Sequence, residues 1–338
     1  MRKLLISRSI LTCAALVIVG SSVNAAPPQY APSYNSLRNA GNVAYFAKDF
    51  KKAEELDTRA LETDFREPGA WGHRSLVRAA LGDLDGALSD NSTYLAAQQV
   101  EGLGDDAQII FNVIACASYT RNAQNWFKKG EMLRALADSI VAVKVDGKSS
   151  PAMLMRADTA YEFGNFADAQ NYLKAARVLD PAGNITRDFT ESGARQNASK
   201  HVPLIEQDNF RSQLAQIEAA KASVDGKEEL RIYNEVLRTF VLNTGMWVNR
   251  GMIFAQAHQY DQAIADFSMA IDIGSAFGSP NTALALQNRA QAYNLQGKYA
   301  QAYIDFEYAH KLMPDDTEIV RQLGFVKLRF TALHLPNF

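Results

Sequence analysis

A helical pattern that recurs along the chain is the feature that most constrains its fold. Residues 247–271 read WVNRGMIFAQAHQYDQAIADFSMAI, and residues 286–310 read LQNRAQAYNLQGKYAQAYIDFEYAH. Both contain Asn-Arg-small, then Tyr-x-x-Ala, then Asp-Phe. A catalytic site needs its residues once, whereas a stacked core needs the same residues in every unit. The recurring residues therefore predict a fold rather than an active site.

Small residues at fixed points indicate that each unit is a pair of packed helices. In each unit, an alanine lies three positions after an aromatic or bulky residue. In three pairs of neighbouring units, these alanines are 34, 34 and 39 residues apart. Another small residue lies twelve positions before each alanine, which lets the two helices approach closely. The alanines are Ala53, Ala87, Ala135, Ala169, Ala263 and Ala302.

Residues that form turns and end helices complete the unit. Glycine permits the positive φ that ends a helix, and proline stops further winding. With them the chain resembles the tetratricopeptide repeat family. The resemblance implies an all-α fold, a right-handed superhelical solenoid of about seven helical hairpins followed by a C-terminal capping helix. The residues that carry it are the small positions above, the bulky Trp71 and Trp247, the turns at Gly82, Gly130, Gly164 and Gly297, and the closing Pro181 and Pro314.

The register of the family divides the chain into two groups of repeats, in which each unit is expected to contact mainly its neighbours. The insertion near 102–115 is expected to extend the first helix of unit three. The insertion at 184–209 is expected to be a solvated connector, with a lid or docking arm as the alternative. The predicted segments are a linker at 26–33, units one to four at 34–183 with an insertion near 102–115, a polar insertion at 184–209, units five to seven with the capping helix at 210–330, and a tail at 331–338.

Residues 1–25 have the composition of a secretory signal peptide. Three basic residues precede a short apolar run, and small residues precede a cleavage site expected after about Ala25. The apolar run is shorter than the ~17 to 25 residues that a membrane span requires. We therefore expect a periplasmic or secreted protein that is not integral to the membrane. Cys116 is then the one remaining cysteine, and its apolar neighbours predict a buried, inert thiol.

An arginine and an aspartate recur sixteen residues apart in three units, as Arg74 with Asp90, Arg250 with Asp266 and Arg289 with Asp305. The constant spacing predicts a salt bridge between the two helices of each unit. The alternative is that these arginines bind an acidic ligand. A paired arginine is less available for that purpose.

Motifs for catalysis, metals and cofactors are missing from the sequence. The five histidines are scattered, and no His-x-x-x-His, Cys-x-x-Cys, phosphate loop or Gly-x-Ser-x-Gly pattern occurs. The formal charge is −2, and it is −5 without residues 1–25, which argues against a nucleic-acid partner. The sequence thus predicts a protein that is not an enzyme and has no cofactor or metal.

The resemblance also implies partner-binding residues, because first helices of successive repeats line a groove in this family. One family asparagine binds the backbone of the ligand, since an amide both donates and accepts hydrogen bonds. Asn249 and Asn288 match that position, with Met252 and Gln291 nearby on the same helix faces. A second family pattern, which grips a terminal carboxylate, is matched in part by Arg38 and Asn42, with His73 where a further asparagine is expected. A solvated groove residue is the alternative interpretation of each asparagine.

Two functions follow from these residues. The first is a scaffold or assembly adaptor of the cell envelope that holds another protein or an extended peptide segment across units six and seven. The second is an envelope processing enzyme that uses the groove as a substrate channel. Titratable groups converging in one pocket would favour the enzyme, and a long polar groove would favour the adaptor. The sequence predicts neither the identity of the partner nor the oligomeric state.

Overall fold

The computed structural model describes residues 32–101, 105–181 and 226–332. The chain divides into two units, Met1–Ser33 and Tyr34–Phe338, and all the described helices belong to the second. No strand occurs among the described residues. The helices are α1 (Tyr34–Phe46), α2 (Phe50–Thr63), α3 (Pro68–Leu81), α4 (Leu84–Glu101), α5 (Asp105–Lys128), α6 (Met132–Val145), α7 (Ser150–Glu162), α8 (Phe166–Leu179), α9 (Gly226–Thr239), α10 (Thr244–Gln256), α11 (Tyr260–Phe277), α12 (Asn281–Leu295), α13 (Tyr299–Leu312) and α14 (Thr317–Ala332).

Consecutive helices pack in pairs and form the predicted hairpins. The pairs are α1–α2, α3–α4, α5–α6, α7–α8, α10–α11 and α12–α13, while α9 packs on α10 and α14 packs on α13. Each hairpin also packs against its neighbour, as α2 does on α3 and α11 on α12. The predicted all-α solenoid of hairpins is therefore confirmed. The segments at 1–25, at 184–209 and over the first half of unit five lie outside the described residues.

The small residues act as predicted, by letting paired helices approach. All six alanines of the second helices are fully buried. A Cβ on Gly251 would lie 2.7 Å from the ring of Phe267 on the facing helix. Because such a contact is too short for a real Cβ, glycine is needed at this crossing.

The turns between paired helices use the left-handed backbone region. Gly82, Gly130, Gly164 and Gly297 have positive φ, as predicted, and Lys48 and His258 take the same conformation in the hairpins that lack a glycine there. Buried tryptophans close the preceding turn in two hairpins. The indole N–H of Trp71 donates to the carbonyl of Phe65 at 2.7 Å, and that of Trp247 donates to the carbonyl of Val241 at 2.7 Å.

A second set of contacts joins the two groups of hairpins, which we call the junction. It consists of the packing of α4 on α13 and of α6 on α11. The guanidinium of Arg134 donates to Asp266 at 2.8 Å, and the ammonium of Lys311 donates to the carbonyl of Gln99 at 2.7 Å. The hairpins therefore pack against distant hairpins as well as against those next to them in the sequence. The repeat pattern gave no sign of this packing, because it describes contacts within a unit and with the next one.

Candidate functional site

The predicted groove residues lie on α10 and α12, the first helices of two successive hairpins, which contact each other directly. We call the surface formed by Asn249, Met252, Asn288 and Gln291 the α10–α12 face. Met252 is 40% exposed, while the other three side chains are half-buried. The Nδ2 atom of Asn288 is buried and has no hydrogen-bond partner among the described residues. The structure thus places all four residues on the first helices of neighbouring hairpins, with one amide donor unused.

The arginines next to these asparagines hold both helices in place. Arg250 donates from Nε and Nη2 to the two carboxylate oxygens of Asp266, at 2.7 and 2.6 Å. Arg289 binds Asp305 in the same way, at 2.8 and 2.7 Å. The predicted salt bridges are confirmed, and a two-point bond of this kind fixes the orientation of the guanidinium. These arginines are therefore committed to the fold rather than free for a ligand.

Arg74 makes the third bond of this type, to Asp90, at 2.8 Å for both atoms. We call these three pairs, Arg74–Asp90, Arg250–Asp266 and Arg289–Asp305, the clasps. All six side chains are buried, so each clasp lies inside its hairpin rather than on the surface. A clasp therefore differs from a surface ion pair, whose energy is small.

Units three and four each hold one half of a clasp. Asp138 occupies the aspartate position on α6, but the residue sixteen positions earlier is Asn122. Arg156 occupies the arginine position on α7, but the residue sixteen positions later is Tyr172. The guanidinium of Arg156 lies 5.1 Å from the centre of the Tyr172 ring, and burial lowers its pKa. Sequence reasoning missed both residues, although the same count of sixteen would have found them.

Arg38, Asn42 and His73 are brought together around Asp57, a residue that the sequence pattern did not single out. Nδ1 of His73 lies 2.6 Å from one oxygen of Asp57, and Arg38 donates to the other at 3.2 Å. Arg38 also donates to Asn42 at 3.5 Å. The cluster belongs to the first two hairpins, so it is separate from the α10–α12 face. Its basic residues are already paired with a carboxylate inside the protein.

A cavity of about 330 Å³ lies at the junction, between α3, α4 and α5 on one side and α11 and α13 on the other. Its polar walls are largely paired within the protein. Gln301 donates to Ser89 at 3.0 Å, and Gln296 donates to Asp261 at 2.8 Å. Paired walls of this kind are expected of a structural cavity, since a ligand site presents polar groups that are free to bind.

Among the described residues, metal-binding clusters are absent and the one cysteine, Cys116, is buried. Within the described ranges, no three His, Cys, Asp or Glu side chains are placed to hold a metal ion. Cys116 is buried, and burial raises the pKa of its thiol, as expected for an inert cysteine. Of the helices at hand, none combines the length and apolar character that crossing a bilayer needs.

Comparison with known proteins identifies the repeat. Two profiles described as tetratricopeptide repeat match residues 154–186 and 244–313. The first match covers most of α7 and all of α8, and the second covers α10 to α13. These helices include two of the three clasps and the whole α10–α12 face.

One curated relative is the bacteriophage adsorption protein A of Escherichia coli (strain K12). It is 29% identical over 271 residues, which are 80% of this chain and 19% of the relative. The chain thus spans about a fifth of the length of that relative.

Two solved structures are similar at low TM-score. A tetratricopeptide repeat protein from Parabacteroides merdae ATCC 43184 has a TM-score of 0.37 and 15% identity, over 88% of this chain and 100% of the other. The TPR2AB domain of yeast Sti1, solved as a pHSP90 complex, has a TM-score of 0.33 and 17% identity, over 87% of this chain and 98% of the other. The profile matches thus identify tetratricopeptide repeats at residues 154–186 and 244–313, and the hairpins there have the small residues and turns that the sequence pattern predicts.

Proposed function

We propose that this protein is a non-catalytic interaction scaffold of the cell envelope that binds an extended segment of another protein on the α10–α12 face. The repeat fold is typical of protein–protein interaction scaffolds. One observation carries the assignment to this face. Asn249 and Asn288 occupy equivalent positions on adjacent first helices, and the buried Nδ2 of Asn288 has no partner among the described residues.

The chemistry of the face suits an extended peptide. An extended backbone presents alternating N–H and C=O groups, and an asparagine side chain can pair with one of each. A buried amide donor without a partner costs free energy in the free protein, so turning the half-buried Asn288 side chain outward to a ligand carbonyl recovers that cost. Met252 adds an exposed, flexible apolar side chain three residues beyond Asn249, which suits contact with varied side chains of a ligand.

The clasps prepare the face for binding. Arg250 and Arg289 directly follow the two asparagines and are locked onto Asp266 and Asp305. The backbone that carries each amide is therefore held before a partner arrives. A site held in advance loses less conformational entropy on binding.

Two observations support a location in the envelope. Residues 1–25 have the composition of a secretory signal peptide. The relative named bacteriophage adsorption protein A is 29% identical over 80% of this chain, and adsorption of a phage takes place at the cell surface. Fractionation of cells that express the full precursor tests this part. Protein found in the cytoplasm with residues 1–25 still attached would contradict it.

Binding is tested by selecting extended peptides against the wild-type protein from a displayed library and measuring their affinity by calorimetry. The double variant Asn249→Ala with Asn288→Ala is expected to weaken binding by about 1 to 3 kcal/mol, because each amide loses its bonds to the peptide backbone. Helix content and melting temperature should stay nearly unchanged. Asn171→Ala, an exposed asparagine on the second helix α8, is the matched control and should leave affinity unchanged.

Two outcomes would overturn the assignment to this face. One is a double variant that binds the selected peptides with full affinity. The other is a loss of binding that appears only together with unfolding. In either case the segment at 184–209 becomes the better candidate for the partner site.

A further inference from the structure

The unpaired Asp138 of unit three lies at the junction, close to a second buried carboxyl group. Asp138 is on α6 and Asp272 is on α11, and these two helices pack against each other. Their exposed fractions are 0% and 2%. Among the described residues, both carboxylate oxygens of Asp138 and Oδ2 of Asp272 lack a hydrogen bond of good geometry, although the nearby indole N–H of Trp126 opposes the rise in the pKa of Asp138. A buried carboxylate without such partners is costly, so at least one of the two carboxyls is expected to hold a proton.

The loss of the clasp arginine explains why this site is short of positive charge. In a complete unit, the residue sixteen positions before the aspartate is an arginine that binds both of its oxygens. In unit three that residue is Asn122, whose Oδ1 already accepts from Asn91 at 2.9 Å. Asp138 therefore keeps the buried position of a clasp aspartate without its cation.

The nearby cations are committed elsewhere. Arg134, one helical turn before Asp138, donates to Asp266 at 2.8 Å and to Glu131 at 2.8 Å. Arg289 on α12 holds Asp305 through two bonds. Among the described residues, the contact between α6 and α11 thus has a closed ion pair at one end and, at the other, two acids that form no direct ion pair with either arginine.

Two tyrosines complete the surroundings of the acid pair. Tyr119 on α5 and Tyr308 on α13 face it, and burial raises the pKa of both phenols. They therefore stay neutral over the range in which a carboxyl titrates. The charge of this site is set by Asp138 and Asp272, balanced in part by Arg134 and Arg289.

We propose that the Asp138–Asp272 pair is a pH-sensitive lock between the two groups of hairpins, closed while the pair holds a proton and loosened when both carboxyls are charged. Burial, and then the charge of Asp272, hold the pKa of Asp138 well above its usual range. Burial raises the pKa of Asp272 to about 7, although the Arg289 cation opposes that rise. The pair thus loses one proton near neutral pH, and the second proton, whose loss loosens the contact, leaves at higher pH.

The direction of the effect follows from proton linkage. An unfolded aspartate has a pKa of about 3.9, so above that value the packed junction holds more protons than an opened one until both raised pKa values are passed. The stabilisation is fully present below the unfolded value and is lost as pH rises through the raised ones. Each unit of raised pKa corresponds to about a tenfold change in the opening equilibrium.

Amide hydrogen exchange of the full chain measures this opening. Protection in α6 and α11, corrected for the intrinsic exchange rate, is expected to fall about tenfold or more between about pH 5 and about pH 9. Asp138→Asn removes one charge from the pair and is expected to flatten this dependence and to raise protection at the alkaline end. Asp272→Asn should flatten it as well. A merely structural role would instead lower protection equally at every pH.

The chain offers a matched control in Asp158 on α7. Burial, and then the charge of Glu162, raise the pKa of Asp158 to about 7, but this residue lies on a helix that takes no part in the junction. Asp158→Asn is expected to leave the pH dependence of α6 and α11 unchanged. The proposal is overturned if wild-type protection in these helices is independent of pH, a result that needs no variant to fold. It is equally overturned if Asp138→Asn and Asp272→Asn both keep the wild-type slope.

Discussion

The hairpin α12–α13 and the hairpin α5–α6 share one design, and they differ in a single charged position. In α12–α13, Arg289 and Asp305 are both almost fully buried and neutralise each other through two bonds. Burial disfavours the charged guanidinium, but the carboxylate of Asp305 outweighs it and raises the pKa of Arg289. In α5–α6, Asp138 has the same burial and no arginine. The position in the repeat therefore determines that the aspartate is buried. The residue sixteen positions earlier, on the facing helix, determines whether the charge of that aspartate is neutralised.

The hairpin α7–α8 shows the opposite defect. Arg156 remains without its aspartate and packs over the Tyr172 ring. A guanidinium tolerates this better than a carboxylate does, because an aromatic face attracts a cation and its long stem packs against apolar atoms. Substitution of the clasp arginines Arg289 and Arg250, and of the unpaired Arg156, is expected to have progressively smaller effects on stability.

Arg289→Ala is expected to lower the free energy of unfolding by about 3 to 5 kcal/mol, because it leaves Asp305 buried without a cation. Urea denaturation measures the change. The double variant Arg289→Met with Asp305→Leu removes both charges and should cost less than the single change. A loss below about 1 kcal/mol for Arg289→Ala would show that the clasp has no special weight in the fold.

Arg250→Ala is expected to cost about 1 to 3 kcal/mol, less than the change at Arg289. Asp266 keeps a second cation after this substitution, since Arg134 donates to its Oδ1 at 2.8 Å across the junction. Hydrogen exchange should show lost protection in both α10 and α11. Equal losses for Arg250→Ala and Arg289→Ala would contradict the compensating role of Arg134.

Arg156→Met is expected to change the free energy of unfolding by less than about 1 kcal/mol, because no buried carboxylate is left behind. Thermal or urea denaturation measures this difference. Arg74→Met is the matched comparison in a complete clasp and should cost more, since Asp90 then loses a two-point partner. If both changes cost the same, the contrast between complete and broken clasps fails.

Much of the fold was predictable because it depends on local spacing. The small residues, the turns at Gly82, Gly130, Gly164 and Gly297, and the sixteen-residue pairs all act within one hairpin. For the candidate site, the register was enough to predict that Asn249 and Asn288 lie at equivalent positions on adjacent first helices. The cluster around Asp57 was not, because its partners Arg38 and His73 belong to different hairpins and have no common spacing from it.

By itself, the sequence determined the hairpin, its turns and the clasps, since each contact that builds them joins residues a fixed number of positions apart. Tertiary structure alone decided how the two groups of hairpins meet. The contact of Arg134 with Asp266 joins residues 132 positions apart, and the nearness of Asp138 to Asp272 arises from the same packing of α6 on α11. Such contacts depend on the accumulated geometry of several stacked units, which no periodic pattern within one unit encodes. For that reason, the sequence predicts which charged side chains are buried, and the tertiary structure determines which other charged groups lie next to them.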